Sequence, residues 1–83
     1  MTAEWAGLRL RIQADGGDGL LADMLSGVEG EGSSVVAKVL HLDADGRTAL
    51  LVPDDALIGR PALLVLRDDG GTVVASRAVV IGG

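Results

Sequence analysis

The pattern of apolar and polar residues predicts short β-strands along most of the chain. From residue 8 to residue 13, leucine or isoleucine alternates strictly with arginine or glutamine, which is typical of a strand with one buried and one solvated face. The runs 35–40, 62–66 and 73–75 are instead apolar on both parities. An antiparallel sheet with one wet face does not have this pattern. A second sheet or another protein molecule therefore covers the other face of these strands.

Three segments repeat the order of an apolar run, an Asp-Gly turn and a second apolar run. The turns are Asp15-Gly16, Asp45-Gly46 and Asp69-Gly70. An Asp-Gly pair between apolar runs is a strong hairpin signal, because glycine adopts a positive φ without a Cβ clash. The predicted hairpins join 8–14 to 20–25, 35–42 to 47–52, and 62–66 to 72–81.

Three further segments are less regular. Leucine and methionine at positions 20, 21, 24 and 25 form a helical stripe, so a short helix over 19–26 competes with the strand that the hairpin pattern favours. Residues 26–34 contain glycine, serine and glutamate with no base, which indicates a flexible acidic Gly-rich loop. Pro53 and Gly59 bound one helical turn that links the second and third hairpins.

These elements predict one all-β domain over residues 1–83. It has about six short antiparallel strands in three Asp-Gly hairpins, arranged as a small sandwich or barrel. The short helix at 19–26 stays open as an alternative.

Composition narrows the function. The 83 residues include one Trp and no Phe, Tyr or Cys, so the core is aliphatic and no disulfide or thiolate chemistry is available. A formal net charge of -5 disfavours nucleic acid and anionic membrane surfaces. We identify no signal peptide and no apolar run long enough to span a membrane, so the expected location is cytoplasmic by default, with a virion also open.

Candidate catalytic and metal-binding chemistry is weak. His41 is the single histidine, and no serine lies in a nucleophile motif, so we expect no enzyme activity and no cofactor. Asp43-Ala44-Asp45-Gly46 begins like a calcium loop, but the position of the closing glutamate falls on Asp54, beyond a proline. Aspartate also suits turns by itself. We therefore predict no metal site.

The residues Val79-Val80-Ile81-Gly82-Gly83 end a strand in a di-glycine tail. This ending resembles the ubiquitin-like and sulfur-carrier families. The resemblance implies a carrier that acts through the carboxylate of its terminal glycine, and it makes Gly82 and Gly83 the alternative site residues. The β-grasp fold of those families has a helix after its first hairpin, where this chain has the Gly/Glu segment 26–34.

The two-sided aliphatic strands favour a non-catalytic structural or interaction subunit. It would self-associate as a homo-oligomer or dock with other proteins in a larger hetero-oligomeric assembly, for example a shell, a virion or a multisubunit complex. A small regulatory subunit of an enzyme is a further alternative. Arginines on the wet face of the first strand would grip an acidic partner or guard a sheet edge. The candidate interface residues are Trp5, Arg9, Arg11, Leu21, Met24, Leu25, Val73, Val79 and Ile81.

Overall fold

Strands dominate the fold. The computed structural model describes residues 1–28, 32–38 and 40–83. Within these ranges the strands are β1 (Thr2–Ala6), β2 (Arg9–Gln13), β3 (Leu21–Val28), β4 (Gly32–Val35), β5 (Leu40–His41), β6 (Arg47–Leu51), β7 (Pro61–Arg67) and β8 (Val73–Val80), and a 3₁₀ turn spans Asp55–Leu57. The prediction of a mostly β chain is confirmed. These ranges contain no helical segment with the length and apolarity needed to cross a bilayer.

The strands form two antiparallel sheets. Sheet A has the order β1-β2-β6, and sheet B has the order β4-β3-β7-β8. Strand β5 pairs with Leu21 and Ala22 at the start of β3, on the same edge as β4. The chain passes from sheet A to sheet B after β2, returns between β5 and β6, and enters sheet B again after β6.

One cluster of aliphatic side chains joins the inner faces of both sheets. Cross-strand partners lie on the same face of a sheet, so the pairing register separates inner from outer residues. Burial of one such Leu or Ile side chain stabilises the fold by about 1.5–3 kcal/mol. The cluster includes Leu10, Ile12 and Leu50 from sheet A, and Ala22, Met24, Leu64 and Leu66 from sheet B.

The prediction of three hairpins is wrong as a set. Strand β2 pairs with β1 and β6, whereas β3 pairs with β7 in the other sheet. Strands β5 and β6 follow one turn, but β5 pairs with β3 and β6 pairs with β2. Of the three predicted hairpins, only the third is present over its length, with β7 paired to β8. The turn residues are local signals, whereas the partner of a strand depends on which apolar faces meet.

The second and third turns share one hydrogen-bond pattern. Oδ1 of Asp43 accepts from the backbone N–H groups of Asp45 at 2.9 Å and Arg47 at 3.0 Å. Oδ1 of Asp68 likewise accepts from Gly70 and Thr72, both at 2.9 Å. The equivalent left-handed residues are Gly46 (φ 72) and Gly71 (φ 82). The sequence alignment that matched Gly46 with Gly70 is therefore off by one residue, because the aspartate that caps the turn lies three positions before the glycine.

The turn at Gly46 packs against the connection between β2 and β3. The backbone N–H of Ala14 donates to the carbonyl of Gly46 at 2.8 Å. A Cβ on Gly46 would overlap the carbonyl oxygen of Ala14, and a Cβ on Gly17 would lie 2.9 Å from that same oxygen. Leu42 extends the contact, because its N–H donates to Leu20 at 2.8 Å and its carbonyl accepts from Gly19 at 3.2 Å. The absence of side chains at these glycines lets the two connections touch.

The three less regular segments match the predictions in part. Residues 21–28 are strand β3, which agrees with the strand that the hairpin pattern favoured, and the alternative of a short helix at 19–26 is wrong. The strand directs Leu21 and Leu25 outward and Met24 inward. Periodicity could not distinguish a helix from a strand here, because apolar residues lie on both faces of β3. The loop at 26–34 is wrong for 26–28 and 32–34, which are paired strand residues, since backbone pairing does not require apolar side chains. Residues 29–31 lie outside the described residues. The predicted turn over 53–59 is the 3₁₀ turn, whose N-cap is Asp54.

Replacing Gly46 with alanine tests the contact between the two connections. Gly71→Ala is the matched control, because Gly71 has the same turn geometry and nothing within 4 Å of its Cβ position. We expect Gly71→Ala to cost about 1 kcal/mol of unfolding free energy from its left-handed φ alone. We expect Gly46→Ala to cost about 3 kcal/mol or more, because strain and the overlap with Ala14 add. Thermal denaturation measures both, and equal melting temperatures for the two variants would contradict this account of the fold.

Candidate functional site

Several predicted interface residues belong to the core of the chain itself. Met24 and Ile81 are fully buried, so the prediction that they contact another protein is wrong. Val79 lies opposite the buried Ala62 and packs against the same core. Trp5 lies opposite Leu10 on the inner face of sheet A and also packs against the core. Trp5 therefore anchors its own domain, whereas the sequence analysis placed it among the interface candidates.

Arg9 and Arg11 lie on the outer face of sheet A, as the alternating pattern predicted. Both side chains are exposed. Strand β2 is the middle strand of its sheet, so the proposal that these arginines guard a sheet edge is wrong. Arg47 lies on the same outer face, opposite Gln13. The sequence analysis did not group Arg47 with the other two, because it placed β2 and β6 in different hairpins.

Leu21, Leu25 and Val73 lie on the outer face of sheet B. Leu25 is at the centre of a row that crosses four strands, with Val35 on one side and Leu63 and Ala78 on the other. Leu63 is 41% exposed although it lies in a central strand, and Val80 in the adjacent row is 51% exposed. We call the outward residues Val35, Leu25, Leu63, Ala78, Val73 and Val80 the apolar face.

Sequence analysis missed Val35, Leu63, Ala78 and Val80 as surface residues. The run 62–66 did show apolar residues on both parities, but that signal does not say which parity points outward. The pairing with β3 decides, because Leu64 is opposite the buried Met24. Neither the other sheet nor any other described segment covers Leu63.

One ion pair lies on this outer face. Nε of Arg67 is 3.0 Å from Oδ2 of Asp23, and Nη1 of Arg67 donates to the carbonyl of Gly71 at 3.3 Å. Val65 lies beside this ion pair. It is directly opposite Asp23, two residues before Arg67, and only 2% exposed. Val65 is not part of the core cluster. We expect the aliphatic stem of Arg67 to cover part of Val65, since long charged side chains commonly pack their stems on apolar surface.

A set of substitutions separates the ion pair of Arg67 from the packing of its aliphatic stem on Val65. We expect a double-mutant cycle with Asp23→Asn and Arg67→Met to give a coupling of about 0.5–1 kcal/mol, since the pair is partly exposed. Arg67→Met keeps an aliphatic stem over Val65. Arg67→Ala removes it and should be less stable than Arg67→Met by about 1 kcal/mol. Urea denaturation measures the four proteins of the cycle and Arg67→Ala, and equal stabilities of the Met and Ala variants would show that Arg67 does not cover Val65.

The outer face of sheet A has a different chemistry. A shallow depression of about 390 Å³ lies there, lined by Thr2, Glu4, Arg11, Gln13, Arg47 and Thr48 among others. Its side chains are mostly hydrogen-bond donors and charged groups. The outer face of sheet A is therefore charged, whereas that of sheet B is mostly apolar.

The remaining candidates are aspartates in turns and the single histidine, which lies on the outer face of sheet B. Asp43, Asp54 and Asp68 each accept backbone N–H groups in turns, which is the turn chemistry that the sequence analysis favoured over a metal site. Within the described ranges, no three histidine or acidic side chains converge as metal ligands would. His41 is exposed at the end of β5, opposite Leu21.

The di-glycine tail folds back onto the domain. The N–H of Gly83 donates to the carbonyl of Val80 at 3.1 Å. Gly82 has a φ of 75, and a Cβ there would lie 3.3 Å from the side chain of Ile58. Ile81, just before the tail, is fixed by hydrogen bonds to Gly59 and Arg60.

Comparison with known proteins gives no independent assignment. No protein-family model, curated protein or solved structure matches the chain. The function is therefore argued from the two outer faces.

Proposed function

We propose that this protein is a non-catalytic structural or interaction subunit that self-associates through the apolar face of sheet B. The observation that carries the proposal is the row Val35, Leu25, Leu63 and Ala78, which crosses four strands and points away from the core. Exposed apolar side chains in one contiguous patch are typical of an interaction surface. A sheet in water without a partner normally alternates polar residues on this side.

The charges on this face favour a second copy of the chain as the partner. The whole chain has a net charge of -5, so two copies repel each other at long range. On the outer face of sheet B, however, Asp23 and Arg67 neutralise each other. Two such faces meet without bringing like charges together, and a two-fold axis places the same patch on both copies.

The area of the outer face of sheet B determines how strong the self-association is expected to be. Strands β3, β7 and β8 are about 25 Å long and the short β4 about half that, so at a spacing of about 4.8 Å the sheet has an area on the order of 400 Å². A standard interface buries about 800 Å² on each partner. Self-association through this face alone is therefore weak and concentration-dependent. We also propose that the two sheets form a small sandwich, supported by the single core to which both contribute.

Other assignments have less support from the geometry. A carrier function through Gly82 and Gly83 calls for a tail that reaches away from the domain, whereas these residues form a hydrogen-bonded turn near Ile58. A regulatory subunit of an enzyme would use the same apolar face, with the enzyme in place of the second copy. The experiment below separates that case from self-association.

A lysine in the centre of the apolar face should weaken self-association. We expect Leu63→Lys to raise the dimer dissociation constant at least about tenfold, because it buries a charge in the contact. The matched control is Leu51→Lys. Leu51 is an exposed strand leucine on the outer face of sheet A, 52% exposed against 41% for Leu63. Sedimentation equilibrium over a wide concentration range measures the dissociation constant.

Two results would contradict the proposal. One is a wild-type protein that stays monomeric up to millimolar concentration, which would leave the face to a different protein. The other is an equal effect of Leu63→Lys and Leu51→Lys on the mass distribution. Thermal denaturation of both variants shows whether either has lost its fold.

A further inference from the structure

The outer face of sheet A gathers three of the seven basic residues of the chain. Arg9 and Arg11 come from β2, and Arg47 comes from β6. In the pairing register Arg11 lies opposite Ala49, two residues from Arg47. Diagonal neighbours on one face of a sheet are about 7–8 Å apart at Cα, within reach of long side chains. The guanidinium groups of Arg11 and Arg47 can therefore converge on one ligand.

Within the described part of the chain, these three guanidinium groups form no ion pair. Glu4 is directly opposite Arg11, yet among the described residues the one ion pair within 4.0 Å is that of Arg67 with Asp23. Asp43 lies at the same depression, but its Oδ1 accepts the N–H groups of Asp45 and Arg47. Its charge is therefore partly satisfied by the turn that it stabilises.

The depression between the arginines supplies further donors. Thr2 and Gln13, which are cross-strand partners on this outer face, line it beside Arg11 and Arg47. A guanidinium presents its N–H groups as a fork that fits a carboxylate with two hydrogen bonds. Hydroxyl and amide donors then complete the coordination of the carboxylate oxygens. The volume of about 390 Å³ is near the lower end of the range for small-molecule sites, which is about 300–1,000 Å³.

The acids at the rim decide the class of ligand. Glu4 and Asp43 line the same depression and repel a continuous polyanion such as a nucleic-acid backbone. A carboxylate on a peptide side chain is a separate charge that can approach the arginines and avoid the acids. We infer that the outer face of sheet A, through Arg11 and Arg47, binds carboxylate side chains of an acidic peptide segment of a partner protein. This surface is independent of the proposed self-association, because the two use opposite sheets.

A peptide titration tests the inference. The probe is a hexaglutamate peptide, with hexaglutamine as its uncharged counterpart, followed by the backbone amide shifts of ¹⁵N-labelled full chain. We expect shifts at β1, β2 and β6 with hexaglutamate only, and weaker binding as salt is raised. The Arg11→Gln, Arg47→Gln double variant should bind at least about tenfold more weakly, because it loses two charge-assisted contacts.

Arg60→Gln is the matched control, since Arg60 is an exposed arginine before β7 and outside sheet A. We expect it to bind hexaglutamate as the wild type does. The same titration with Leu63→Lys should be unchanged, which separates this surface from the apolar face. The inference is overturned if hexaglutamate causes no shifts, if the double variant binds equally well, or if a single-stranded oligonucleotide binds more tightly than hexaglutamate. Unchanged thermal denaturation of the double variant ensures that any loss of binding is local.

Discussion

The close contact between Gly46 and Ala14 holds together the two connections through which the chain first leaves sheet A and then returns to it. The N–H of Ala14 donates to the carbonyl of Gly46 at 2.8 Å, at a distance that leaves no room for a Cβ on Gly46. Ala14 follows the last strand residue of β2 before the chain enters sheet B, and Gly46 precedes β6, where the chain has returned to sheet A. One contact thus joins both crossings. Residues from the inner faces of both sheets contribute to one aliphatic core, and Ala14 belongs to it.

The two outer faces follow from this arrangement. In sheet A the strict alternation of β2 places Leu10 and Ile12 in the core and leaves the arginines outside. In sheet B the strands are apolar on both sides, so filling the core with Leu64 and Leu66 leaves Leu63 exposed to solvent. The same core therefore generates one charged and one apolar surface. The ion pair of Arg67 and Asp23 limits the apolar face, because it lies beside Val65 and leaves the row through Leu63 open.

Sequence reasoning succeeded where the signal is local. The alternation around Arg9 and Arg11 predicted a strand with one wet face, and Asp-Gly punctuation located turns at Asp43–Gly46 and Asp68–Gly71. It failed where the outcome depends on distant parts of the chain. No local feature shows that β2 pairs with β6 instead of β3, and without that pairing Met24 and Ile81 were assigned to an interface although they complete the core. Two adjacent glycines at 70 and 71 also hid which residue takes the left-handed conformation, since either satisfies an Asp-Gly pattern.

The distribution of charge explains why the net charge of -5 says little about partners. Within the described strands the only acids are Glu4 and Asp23, and the other described acids lie in turns and connections. Several of these are held there by bonds to backbone N–H groups, as Asp43 and Asp68 show. The outer face of sheet A has three arginines against Glu4, and that of sheet B is neutral. Because most acids lie in turns, they supply solubility and long-range repulsion, whereas Glu4 and Asp23 lie on the outer faces and Asp43 lines the depression on sheet A. A partner that approaches a face therefore meets arginine or aliphatic side chains, and the overall acidity of the chain acts on the rate of approach more than on the contact itself.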